Sequence, residues 1–261
     1  MEKITVFLAD WQVLFREGIH FTLSGEEDME VVGEDVDNEQ ALTFIESNPP
    51  QIAILNASHD TINGFEATRR IKQTLPEVSV ILVLDSYDED QFFNALKSGA
   101  GACFTKDVDP EVVINTIREV AKGKQPISEV IWKPEITSRV LDDFTAFSSL
   151  GEQVGQLLAH LTPREAEILH RVADGSTREQ VISTLSIDDE ALDNRLQSIR
   201  YKLVVNDQKL MLIELAQSGL PVVSRVSFTG KPGTEYITKE EFTAFKESLK
   251  ERFKSLSGDI S

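Results

Sequence analysis

Asp10, Asn56, Asp85 and Lys106 each sit at or just past the end of a short apolar run: Ile4–Ala9, Ile52–Leu55, Val80–Leu84 and Ala102–Phe104. Two carboxylates and an ammonium group can hold a cation, receive an anion or pair with one another. Asn56 is a neutral carboxamide and Trp11, beside Asp10, is an indole. Neither is a nucleophile. The sequence displays no nucleophile–base pair and no cluster of metal-ligating types, so catalysis is the least supported class of function. His59 and Asp60 follow the third run and read as a solvated loop. Cys103 reads as a small core residue, because a redox-active thiol needs exposure and a lowered pKa. As the one cysteine, it excludes an internal disulfide and any cysteine-based zinc site. A reducing, cytoplasmic setting is expected.

The elements that must position these groups alternate between two periods. Val31–Val32 adds a fifth apolar run to the four above, and such runs suit strands buried on both faces. Between them lie helical stripes: Phe15, Ile19 and Leu23; Ala41, Leu42 and Ile45; Phe65, Thr68 and Ile71; Phe92, Ala95 and Leu96; Val112, Val113, Ile117 and Val120. Asp109-Pro110 opens the last of these as N-cap and first-turn residue. Five βα units predict an α/β doubly wound, five-stranded parallel sheet. Function in such sheets lies outside the carboxyl ends of the strands, where the four polar residues sit.

Composition narrows the partners. The chain has 261 residues, 41% of them hydrophobic, and a formal charge of −18. It can bury a core, and bulk attraction to nucleic acid or anionic lipid is disfavoured. By segment the net charge is −13 for 1–125, −3 for 126–159, −3 for 160–220 and +1 for 221–261. No segment is clearly basic. No apolar run is long enough to span a membrane, and the N-terminus lacks the layout of a signal peptide.

The stretches LADWQVLFREGI, GFEATRRIK and FTKDVDPEVVINTIREVAKGK resemble the receiver domain of NarL/FixJ-type response regulators over about residues 1–124. The resemblance implies a receiver-like, flavodoxin-like fold. It also implies phosphoryl transfer to an aspartate after the third strand, assisted by Mg²⁺ on acidic groups after the first strand, a hydroxyl after the fourth and a lysine after the fifth. This chain departs from that pattern at most positions. Asn56 stands at the nucleophile, Trp11 at the second acidic position and Asp85 at the hydroxyl; only Asp10 and Lys106 match. A carboxamide cannot form an acyl phosphate, and a carboxylate at 85 repels a phosphoryl group. The implied pocket is degenerate, needs no cofactor and no metal, and sets Asp85 or Asp10 to pair with Lys106. Trp11 is expected to fill the emptied metal pocket; stacking on a ligand is the other reading.

Residues 125–159 read as a linker with modest helical stretches, ITSRVLDDF and VGQLLAHL. LTPREAEILHRVADG then opens a helix with Thr162 as N-cap, Pro163 in the first turn and Glu165 placed for a capping box. A short helix is predicted over about 178–184, a longer one over 189–203 and a last one over 208–218. This stretch resembles the LuxR-type helix-turn-helix over 160–220, with DNRLQSIRYKL at the recognition helix. The candidates for DNA are Arg178, Asn194, Arg195, Gln197, Ser198, Arg200, Tyr201 and Lys202. Against them stand Asp188, Asp189, Glu190 and Asp193, close to where phosphates would lie. Two readings follow: a phosphorylation-independent regulator of transcription, or an interaction scaffold that has lost both phosphotransfer and DNA binding.

Residues 221–261 form a C-terminal extension. Val222–Phe228 reads as a strand, and Thr238 with Glu241 opens a helix to about Leu256. Phe242, Phe245, Leu249, Phe253 and Leu256 share one face of it. That stripe is expected to pack on its own chain or on a second protomer, giving a homodimer; a foreign protein partner is the sharper option. A membrane-surface role is disfavoured, since the polar face mixes Lys with Glu.

Overall fold

The computed structural model describes residues 3–58, 62–149 and 157–217. The chain divides into two compact units, Met1–Asp207 and Gln208–Ser261. His59, Asp60, the first three residues of VGQLLAHL and the whole C-terminal extension lie outside the described residues.

Five strands, β1 (Ile4–Ala9), β2 (Met29–Asp35), β3 (Ile52–Asn56), β4 (Ser79–Leu84) and β5 (Ala102–Thr105), form one parallel sheet in the order β2-β1-β3-β4-β5. The doubly wound architecture is the predicted one. Strand β3 is buried along its whole length and β4 from its second residue on, as their unbroken apolar runs require. Helices α1 (Val13–Ser24), α2 (Asn38–Ser47), α3 (Gly64–Thr74), α4 (Glu89–Ser98) and α5 (Pro110–Ala121) connect them. Four of the five start at an Asp or Asn whose side chain accepts a main-chain N–H; Asp37, Asn63, Asp88 and Asp109 play this part. Val6, Leu8, Ile52, Ile54, Ile81 and Val83 form one core cluster with Ile19, Leu23, Val113, Ile117 and Val120 of α1 and α5. Gly64 lets α3 begin tight against β3: a Cβ there would lie 2.4 Å from the Asn56 carbonyl oxygen.

The stretch read as a linker is largely ordered. A 3-10 helix (Pro126–Trp132) is followed by α6 (Pro134–Ser149). Ile127, Ile131, Ile136, Val140 and Phe144 are buried. The four-residue spacing of Ile136, Val140 and Phe144 is that of a helix packed on one face.

Helices α7 (Pro163–Ala173) and α8 (Arg178–Leu185) agree with the sequence reading, including the reciprocal capping box of Thr162 and Glu165. Ser186 then takes a left-handed conformation, φ 51°, to make the turn. The next element differs. Two helices were predicted, over 189–203 and 208–218, but one continuous helix, α9, spans Asp189–Gln217. Asn206 and Asp207, which lie between the two predicted helices, are helical and buried. The Asn206 side chain binds the backbone of Ala159 on both sides, Oδ1 accepting at 2.7 Å and Nδ2 donating at 2.9 Å. It is therefore not used as a cap.

Candidate functional site

Parallel pairing brings the carboxyl ends of β1, β3, β4 and β5 together, and with them Asp10, Asn56, Asp85 and Lys106. Asp10 is buried and fully engaged. Its Oδ1 accepts from Gln12 N at 2.7 Å and from Lys106 Nζ at 3.0 Å; its Oδ2 accepts from Asn56 Nδ2 at 2.8 Å. Lys106 Nζ also lies 2.7 Å from Asp85 Oδ1. Asn56 is fixed at its other end, its Oδ1 accepting from Ser58 N at 2.7 Å. The carboxamide thus holds both Asp10 and the loop after β3, while one ammonium group answers two carboxylates. Both Asp10 and Asp85 pair with Lys106, where the sequence had suggested one or the other.

Trp11 does not fill the space beneath Asp10. It is 50% exposed, with Lys106 Nζ 5.2 Å from its ring centroid. The side chains of Lys106 and Asn56 already occupy the inner positions around Asp10, so the indole lies across the ammonium group from outside.

This donor set does not fit Mg²⁺. That ion requires near-octahedral oxygens at about 2.0–2.1 Å. Both Asp10 oxygens accept N–H donors, position 11 offers an indole, and the Asn56 side-chain oxygen is taken by a main-chain N–H. Among the described residues, no group of three or more His, Cys, Asp or Glu could hold a metal ion. Burial pushes the Cys103 thiol on β5 up to about 12, away from the thiolate a redox sensor needs.

The candidate DNA residues fall into two sets. Asn194, Arg195, Gln197 and Tyr201 are exposed on α9. The other four point to partners within the chain. Arg178 donates from Nε to Asp189 at 2.8 Å and from Nη2 to Asp193 at 2.5 Å, and its guanidinium lies 5.7 Å from the Trp132 ring centroid. Ser198 Oγ and Lys202 Nζ donate to the two oxygens of buried Glu165, at 2.7 and 2.6 Å. Burial alone would raise the Glu165 carboxyl, but Lys202, Ser198 and the Thr162 N–H outweigh it and hold the group at about 2. Arg200 Nη2 donates to the carbonyls of Gly99 and Ala100, at 3.2 and 2.7 Å, where α4 gives way to β5. Burial lowers this guanidinium to about 10, still charged at neutral pH.

Sequence reasoning missed the contacts that tie α9 to the sheet domain. Asp207 accepts from Arg69 of α3 at 2.5 and 3.4 Å and lies 3.7 Å from Lys97 of α4. Lys97 also donates to Asp143 of α6 at 2.6 Å. Gly99 takes φ +97°, and Val204 lies 3.3 Å from where its Cβ would be. No local pattern signals such contacts, because those of α9 join residues more than a hundred positions apart.

Residues 6–118 match the family described as response regulator receiver domain. The transcriptional regulatory protein DegU of Brevibacillus brevis is 28% identical over 228 residues, spanning 83% of this chain and 94% of DegU. The response regulator protein VraR of Staphylococcus epidermidis is 27% identical over 217 residues, spanning 83% of this chain and 98% of VraR. Among solved structures, the signal receiver domain of the response regulator NarL from Mycobacterium tuberculosis aligns at 27% identity and a TM-score of 0.46, covering 48% of this chain and 100% of that domain. The β2-β1-β3-β4-β5 sheet, with its polar cluster at the strand ends, is therefore a receiver domain. Over most of its length the chain is similar to response regulators of the kind that DegU and VraR represent. No described helix is long and apolar enough to cross a membrane.

Proposed function

We propose that the chain is a cytoplasmic response regulator that works without phosphorylation and regulates transcription through a helix-turn-helix at 160–220. On this reading 1–124 is a pseudo-receiver, 125–159 the connecting segment and 221–261 an extension that joins two protomers. One observation carries the proposal: Lys106 is held between Asp10 and Asp85, with Asn56 in place of a nucleophilic carboxylate. An ammonium ion paired twice is not free to receive a phosphoryl oxygen, and the position that would carry the phosphoryl group is an amide. The names of the relatives, DegU above all, support the transcriptional half.

A second reading, an interaction scaffold, is favoured by the charge around α9. Asp189 and Asp193 claim Arg178, and Arg195 is the one cation left among the exposed candidates. The experiment is to incubate the full chain with sheared genomic DNA from its own source, at low and moderate salt, without a phosphate donor. The transcriptional reading predicts enrichment of a discrete set of fragments, unchanged by adding acetyl phosphate. Retention of no DNA even at low salt would contradict it and favour the scaffold.

A further inference from the structure

Beside the Lys106 cluster lies an open depression of about 610 Å³. Its wall includes two aromatic rings, Trp11 and Phe65, and two acceptors, the Asp85 carboxylate and the Gln91 carboxamide. Three features of this wall point to a ligand. Trp11 is half exposed, although an indole gains more by burial than by solvation. The Asp85 side chain is 41% exposed while still paired to Lys106. Gln91 Oε1 is cut off from solvent and has no hydrogen-bond partner among the described residues. A buried acceptor without a donor is unfavourable, and such atoms in native proteins call for an explanation.

We infer that this depression binds a small planar molecule bearing a cationic or multiply N–H-donating head. The flat body stacks on Trp11 and packs on Phe65. The head lies against the Asp85 carboxylate and, once the Gln91 side chain turns toward the depression, donates to its Oε1. Charge agrees with this: Asp10 and Asp85 against Lys106 leave the cluster with one uncompensated negative charge. An anion is disfavoured by Asp85, and the ring walls favour a flat body over a compact inorganic cation. The inference deepens the reading of a phosphate-free receiver: a pocket relieved of phosphotransfer is left to sense a soluble ligand.

The test uses the full chain, labelled with ¹⁵N, and three probes: benzamidine, 2,4-diaminopyrimidine and, as the anionic counterpart, benzoate. Benzamidine or diaminopyrimidine should shift the Trp11 indole N–H and the Gln91 side-chain amide saturably, with Kd on the order of 1 mM. Benzoate should not. Trp11→Ala should abolish the shift at Gln91. Gln91→Leu should weaken binding about tenfold, the effect of one ordinary hydrogen bond, and Gln91→Glu should tighten it. The Gln91→Glu gain keeps the proposal testable if Gln91→Leu folds poorly. Absence of any shift with both cationic probes, or equal binding of benzoate, would overturn it. No phosphate donor is present, so this outcome is independent of whether the receiver can be phosphorylated.

Discussion

Asp207→Ala is expected to destabilise the first compact unit substantially. Asp207 is buried on α9 and accepts two hydrogen bonds from Arg69 while lying 3.7 Å from Lys97. Lys97 keeps Asp143 when Asp207 is removed. Arg69 has no other anionic partner recorded among the described residues, and its side chain is only 19% exposed. Removing one member of a fully buried pair costs about 3–5 kcal/mol; partial exposure of Arg69 reduces this to about 2–3 kcal/mol. For a unit of this size each kcal/mol lowers Tm by about 2–4 °C, so a fall of roughly 5–10 °C is expected in thermal unfolding. The double variant Arg69→Met with Asp207→Leu should recover most of the loss, because it leaves no buried charge unpaired. An unchanged Tm for Asp207→Ala, or a double variant as unstable as the sum of its parts, would refute the claim that this pair fastens α9 to α3.

Three further outcomes follow from the geometry. Glu165 is held at about 2 against an ordinary 4.5, so its contribution is complete above pH 4.5 and lost as pH falls toward 2. Denaturant titrations over that range should show a loss of about 2 kcal/mol, discounted for residual solvent screening, that is missing in Glu165→Gln. Changing Asp189, Glu190 and Asp193 to lysine frees Arg178 and reverses the charge at the start of α9; gel-shift titrations should then show tighter DNA binding with a steeper salt dependence. Deleting 238–261 removes Phe242, Phe245, Leu249, Phe253 and Leu256, each worth about 1.5–3 kcal/mol if buried. Sedimentation should move toward monomer, and an unchanged profile would remove the extension from the dimer proposal.

The sheet domain was legible because four strands are largely apolar runs, β2 (MEVVGED) offering only Val31-Val32, and most helices carry their own start signal. Asp109-Pro110 and Thr162-Pro163 were read at the positions where the chain uses them. Asp10 and Lys106 were legible as a pair because parallel strands of one sheet must converge at their carboxyl ends. Within the stretch read as a linker, the helical segment ITSRVLDDF was legible, with Ile136, Val140 and Phe144 every four residues; that it packs as part of a longer helix was not. Helix α9 was harder. Val204-Val205-Asn206-Asp207 contains no Gly or Pro, and its Asn-Asp pair imitates a cap. Tertiary partners at Ala159 and Arg69 recruit those two side chains instead. Arg200 shows the same limit, since an exposed-looking arginine on a candidate reading face donates to Gly99 and Ala100.

On this reading the Lys106 cluster stands in place of phosphoryl chemistry. The direct measurement is the intact mass of the full chain, and of Asn56→Asp, after incubation with acetyl phosphate and Mg²⁺. Both should keep their starting mass, the variant because Trp11 still denies a metal ligand and Asp85 still holds Lys106. Gain of one phosphoryl group on the natural chain, mapped to the receiver, would contradict the account.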